Sequence, residues 1–194
     1  MASRFFALFS RMKYINRWAL MRNTAHENLS QHSLEVAAFA HALAVLGNRR
    51  LGRNYNAERA ALLGIYHDMP EIITGDMPTP IKYQNPEIID AYKQIEDRAA
   101  DRLISLLPED FRDDYSTILK QNGKDDDKLH VFVKAADRYS ALIKCIEEMR
   151  MGNDEFRMAK ETIQRSIDGM KLPEAEVFER EFLPSFYLAL DELN

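Results

Sequence analysis

Apolar residues recur along this chain at the three-and-four spacing of amphipathic helices, and alternating strand-like runs are scarce. The clearest stripe follows Asn85 and Pro86, where Ile88, Tyr92, Ile95, Ala99, Leu103 and Leu106 share one face before Pro108 closes the segment. Further helices are predicted near 3–13, 109–120, 126–150, 154–168 and 174–191, with Gly152 and Asn153 as stop and start signals and Pro184 placed to kink or split the last. Three segments carry more than packing. Ser30 reads as an N-cap with Leu29 and Leu34 as a hydrophobic staple, which puts His32 in a first helical turn. From a cap at Asn56 the chain is apolar almost all round, as a buried helix is, until His67 and Asp68. Pro70 disfavours helical geometry at Met69, so that pair comes at a helix end. In 131–141, Val133 and Ala141 lie four residues either side of Asp137, and the carboxylate shares their apolar stripe.

The 194 residues, 46% of them hydrophobic, suffice for one core, and no linker or shift in composition divides them. The expectation is an all-α chain with 1–194 as a single domain. Internal repeats, heptads, low-complexity tracts and membrane-length apolar runs are absent from the sequence. A net charge of −5 argues against binding nucleic-acid polymers, which needs a basic surface, whereas a small anion needs only a local positive site. The first 26 residues hold Arg4, Arg11, Lys13, Arg17 and Arg22 without an acid, a composition like that of a targeting segment. Phe5 to Phe9 is too short for a secretory core, so cleavage is not expected. Cys145 is the single cysteine, in an apolar helical context that favours packing over catalysis; a reducing cytoplasm is the simplest setting.

A carboxylate on an apolar face is costly unless a cation or several donors compensate it. Alone, Asp137 is best read as the partner of an Arg or Lys. With His32, His67 and Asp68 added, two imidazoles and two carboxylates come from three segments, a common donor set for a borderline divalent ion. Adjacent residues cannot point the same way from a regular helix, so joint use of His67 and Asp68 requires the helix end that Pro70 implies. Glu71 follows His67 by four residues and on a continued helix faces the same site. An acid after Pro70 also suits the helix dipole, and both roles are compatible. His41 is about half a turn out of phase with His32 and reads as structural; His26 reads as a solvated loop residue and His130 as a helix-surface residue.

The order His32, His67-Asp68, Asp137 on a helical chain resembles the HD-domain superfamily of metal-dependent phosphohydrolases. The stretches Ile15-Asn16-Arg17-Trp18, Leu20-Met21-Arg22-Asn23, Glu27-Asn28, His32-Ser33-Leu34, Tyr66-His67-Asp68, Thr74 to Lys82 and Pro184-Ser185-Phe186 resemble, within it, the bacterial 5'-deoxynucleotidase family, over nearly the whole chain. The resemblance implies an HD-domain fold, hydrolysis of deoxyribonucleoside 5'-monophosphates selective against ribonucleotides, one divalent metal ion (Co²⁺, Mn²⁺, Zn²⁺ or similar), and a cytoplasmic homodimer. It also implies His32, His67, Asp68 and Asp137 as metal ligands, with Asp68 and Asp137 also meeting substrate. By the same resemblance Glu71 acts on the attacking water, Arg17 orients the phosphate, Trp18 faces the sugar, and Asp76, Met77, Pro78 and Thr79 form the substrate loop. The chain departs from the usual pattern at Met69-Pro70, where small or polar residues are more common, and at Gln31, where an acid can stand. Two other readings are an HD-type hydrolase of another nucleotide phosphoester and a nucleotide-binding module without turnover.

Overall fold

The computed structural model describes residues 2–120, 123 and 126–194. Among them the chain runs α1 (Phe5–Phe9), α2 (Leu29–Arg50), α3 (Ala57–Tyr66), α4 (Glu71–Thr74), α5 (Thr79–Lys82), α6 (Pro86–Ser105), α7 (Arg112–Leu119), α8 (Asp127–Arg150), α9 (Arg157–Asp168) and α10 (Pro173–Glu181). Short 3₁₀ turns cover Ser10–Tyr14, Glu109–Phe111, Asp154–Phe156, Leu183–Tyr187 and Leu190–Glu192. The only strand-like pairing among the described residues is an isolated antiparallel bridge between Asn16 and Asn28. It closes the base of an irregular segment, 16–28, that leads into α2.

The apolar faces of α2, α3 and α8 meet in one core, with Val36, Leu43, Leu63, Phe132, Tyr139 and Phe178 of α10 at its centre. A second cluster joins Phe5, Met12, Leu29, Met69, Leu103 and Leu107, and Tyr66 packs against both. Leu29 and Met69 are fully buried, each worth roughly 1.5–3 kcal/mol of burial. They flank His32 and His67-Asp68 in sequence, so the chain on both sides of these residues is fixed by packing. The α2–α3 contact is close because Gly64 has no side chain. A Cβ there would lie 2.7 Å from the Cα of Ala37.

Asn56 caps α3 by accepting from the Arg59 amide, α3 ends at Tyr66, and the final helix gives way to a 3₁₀ turn at Pro184, as the sequence predicts. Two local expectations are corrected. Asn28, not Ser30, caps α2: its side chain accepts from the Ser30 and Gln31 amides, and Gln31 returns a bond to the Asn28 amide. The cap lies two residues earlier than expected, so Leu34 falls on the solvent face at 70% exposure and makes no staple. On α6, Tyr92, Ala99 and Leu103 are buried but Ile95 is 49% exposed. Glu96 stands beside it and binds Lys82 of α5 at 2.8 Å, tying the loop between α4 and α5 to α6.

Candidate metal centre

His32 is wholly buried in the first turn of α2, and His67 is the C-cap of α3. The turn through Met69, whose amide bonds to the Tyr66 carbonyl at 3.1 Å, lets neighbouring His67 and Asp68 aim at one point. His67 Nε2 is 3.0 Å from Asp68 Oδ2, and His32 Nε2 is 3.5 Å from the same oxygen. One ligand atom from each of these three residues lies within 4.8 Å of the others.

Both Nε2 atoms are buried and lack a hydrogen-bond partner. The opposite nitrogens are held: His67 Nδ1 donates to the Gly64 carbonyl at 2.7 Å, and His32 Nδ1 meets Ser140 Oγ at 2.9 Å, which donates to Glu35 at 2.7 Å. Fixing the far nitrogen of an imidazole sets its orientation and leaves the near one for a cation. A half-buried carboxylate between two orphaned ring nitrogens fits a divalent ion. Glu35 ends this outer hydrogen-bond chain.

Asp137 of α8 approaches the same nitrogen of His32, its Oδ1 3.1 Å from Nε2, but lies outside the mutually close set of three. Its neighbours Val133 and Ala141 are buried while its own side chain is 41% exposed, so the apolar stripe opens to solvent at this carboxylate. Arg17 stands 3.8 Å from the same Oδ1, so Asp137 has a cationic partner as well as a histidine. Burial pushes the Asp68 and Asp137 carboxyls up. The neighbouring imidazoles, His67 and His32 at Asp68 and His32 at Asp137, outweigh this, and both carboxyls are held low.

Glu71 opens the four-residue α4 and is buried at 5% exposure, with Oε2 unpartnered. Burial first, and then the negative charges of Asp68 and Asp76, push its carboxyl up to about 10. A carboxyl raised this far holds its proton at neutral pH. Gly75 ends α4 at φ 75°, a backbone that favours glycine, and Asp76, Met77 and Pro78 follow it as a partly exposed loop, with Thr79 opening α5. Asp76 is raised first by burial and then by Asp68, while Arg17 pulls it down.

Arg17 donates to Glu27 at 3.1 Å and meets His32 Nδ1 at 2.7 Å. Trp18, half-buried at φ 61°, donates from its indole to the same Glu27 oxygen at 2.7 Å and rests on Phe156 at 5.3 Å between ring centroids. The sequence did not single out Glu27, which lies in a polar stretch; its place just before the α2 cap is the one signal it carries. The control histidines divide. His26 and His41 are exposed and away from the cluster, whereas both ring nitrogens of His130 are buried, so the surface reading of that residue is corrected. Burial pushes the Cys145 thiol up to about 12, in keeping with packing.

The model of the family described as 5'-deoxynucleotidase YfbR-like matches residues 4–186. The chain is 48% identical to 5'-deoxynucleotidase PBPRA2627 of Photobacterium profundum, over 99% of this chain and 98% of that one. It is 46% identical to 5'-deoxynucleotidase YfbR of Escherichia coli, over 99% and 96%. Its fold is similar to that of an HD-domain phosphohydrolase from Listeria innocua, with TM-score 0.82 and 22% identity over 94% of this chain and 88% of that one. It is also similar to the cyanophage S-2L HD phosphohydrolase DatZ, solved with dA and one catalytic Zn²⁺, with TM-score 0.60 and 19% identity over 90% and 94%.

Proposed function

The chain belongs to the YfbR-like 5'-deoxynucleotidase family, and we propose from that premise how it hydrolyses deoxyribonucleoside 5'-monophosphates to deoxyribonucleoside and phosphate. His32, His67 and Asp68 hold one divalent ion, with Asp137 as a fourth ligand from the open side of the cluster. The observation that carries this reading is the pair of buried, unpartnered Nε2 atoms beside the Asp68 carboxylate. When bound, such an ion lowers the pKa of water and polarises a phosphoryl oxygen. The Zn²⁺ reported with DatZ supports a metal of this class.

The protein's own groups supply the rest. Arg17 offers a planar fork of donors that matches two phosphate oxygens, and Glu27 and Asp137 hold the fork beside His32. Glu71, buried three residues after Asp68 with one oxygen unpartnered, orients the attacking water and relays its proton to the leaving 5'-oxygen. Trp18 walls the sugar, and the loop from Asp76 to Thr79 encloses it, with Asp76 accepting from the 3'-hydroxyl. Apolar exclusion of a 2'-hydroxyl is limited to about 10²-fold, so strong rejection of ribonucleotides requires the tight placement that Glu27 and Phe156 give the indole.

The active form is a homodimer in the cytoplasm. Exposed Phe182, Tyr187 and Leu190 at the C-terminal end support pairing of two copies. Among the described residues no helix is long and apolar enough to cross a membrane. Light scattering after gel filtration tests the dimer. Phosphate release from dAMP, dTMP and AMP by metal-stripped protein, with Co²⁺, Mn²⁺, Zn²⁺ or Mg²⁺ restored separately, tests the reaction. The expected result is metal-dependent release from the deoxynucleotides and little from AMP; no release with any ion overturns it.

A further inference from the structure

Segment 16–28, which carries Arg17 and Trp18, has no regular secondary structure between the Asn16–Asn28 bridge and its far end. One side chain, Glu148, gathers most of the bonds that hold that far end, beside Glu155, which accepts from the Arg22 amide at 3.1 Å. Glu148, in the last two turns of α8, is wholly buried. One of its oxygens accepts from the Thr24 amide and from Asn153 Nδ2, each at 2.8 Å, and from the Thr24 hydroxyl. The other accepts from the Ala25 amide at 3.1 Å and from Lys144, itself buried. Lys144 and Asn153 extend the clasp to the loop's carbonyls, Lys144 to Ala25 at 2.5 Å and Asn153 to Arg22 at 2.7 Å.

This arrangement has more than a local purpose. An ordinary i,i+4 Lys–Glu pair on a helix surface is solvated and nearly neutral in effect, whereas here both partners are taken out of water and every added donor to Glu148 except Asn153 comes from the irregular segment. Three residues beyond Asn153 lies Phe156, the ring on which Trp18 rests, and the Lys144 ammonium sits 5.7 Å from that ring. Removing the Glu148 charge leaves Lys144 buried without its partner and frees the Thr24 and Ala25 amides. The loop then loses its far anchor while the α2–α3 packing that holds His32 and His67 is untouched.

We propose that Glu148 is a positioning residue for substrate, fixing through Thr24 and Ala25 the segment that presents Arg17 and Trp18 to the nucleotide. This rests on the reading that those two residues face substrate. Trp18 is the only tryptophan, so emission excited at wavelengths too long for tyrosine to absorb reports on this segment alone. In metal-loaded Glu148→Gln the expected result is unchanged metal content and far-ultraviolet circular dichroism, red-shifted and more quenchable Trp18 emission, and a KM for dAMP raised roughly 10-fold to 100-fold with a smaller change in kcat. Thr24→Val, which keeps the Lys144–Glu148 pair, moves the same readouts in the same direction by less. Folded Glu148→Gln with wild-type emission and KM overturns the inference, and if that variant does not fold, wild-type values in Thr24→Val overturn it instead. In the wild-type protein dAMP should shield Trp18 from acrylamide. Turnover without such shielding overturns the substrate-facing reading and the inference with it, whereas shielding in wild type beside an inert Glu148→Gln overturns the inference alone.

Discussion

His32 and His67 stand on helices whose apolar faces meet at the Gly64–Ala37 contact, whereas Arg17 and Trp18 lie on an irregular segment fixed by the buried carboxylates Glu27 and Glu148. The metal half of the site therefore inherits its precision from close packing, which resists small shifts and fails when volume changes. The half proposed to meet substrate inherits it from donors converging on charged acceptors, which tolerates volume but fails when a charge or acceptor is lost. The two halves touch at His32 Nδ1, which meets both Ser140 from α8 and the Arg17 guanidinium. Disturbing one half selectively should show how far each depends on the other.

Asp68→Ala removes the carboxylate common to both orphaned nitrogens, and abolishes metal retention and phosphate release together; elemental analysis beside the assay checks this. Glu71→Gln keeps the donor trio and the packing but cannot pass a proton as a carboxyl does, so kcat falls by about 10²-fold to 10⁴-fold with metal content unchanged. Ser140→Ala removes one of the two partners of His32 Nδ1, leaving Arg17, and lowers metal affinity by about 10-fold to 100-fold, measured by competition with a chelating dye. Gly64→Ala inserts a Cβ against Ala37 and costs about 1–3 kcal/mol of stability, which lowers the melting temperature by about 3–10 °C for a chain of this size. A Gly64→Ala variant as stable as wild type would remove packing as the basis of the metal half.

The smallest effect is one of pH. Burial pushes the Glu148 carboxyl up, but the Lys144, Thr24, Asn153 and Ala25 donors outweigh it and hold the group well below its ordinary value of 4.5. A carboxyl depressed in the folded state contributes stability that is present above that ordinary value and is lost as pH falls towards the folded one. The difference in melting temperature between wild type and Glu148→Gln should therefore shrink as pH drops below 4.5. A pH-independent difference would show that the charge contributes nothing.

The packing half was the more legible in sequence. Pro70 after an apolar run marks His67-Asp68 as a helix end, and Asp137 stands out because a carboxylate interrupts an apolar stripe. The bridging Ser140 and the Gly64 carbonyl were not legible, because a serine and a glycine on a buried helix carry no sign of what they face. In the polar half, resemblance supplied Arg17 and Trp18 where composition alone showed ordinary residues. Glu148 was hidden for a physical reason: Lys144, Glu147, Glu148 and Arg150 read as a solvated helix surface, and only the fold of segment 16–28 over that surface takes water away. The missed cap at Asn28 had a similar cause, since two polar residues two positions apart, Asn28 and Ser30, both suit the role and only backbone geometry decides between them.

The start of α2 has a consequence for attempts to make this protein more robust. With Asn28 as the cap, the positions one before it and four after it are Glu27 and His32, where many helices place an apolar pair that clamps the incoming chain. Here those positions hold the acceptor for Arg17 and Trp18 and an imidazole of the metal cluster. A redesign guided by helix statistics alone would fill both with hydrophobic side chains and improve the helix by dismantling the reaction centre. On the function proposed above, heat tolerance and turnover draw on the same two residues at this one turn.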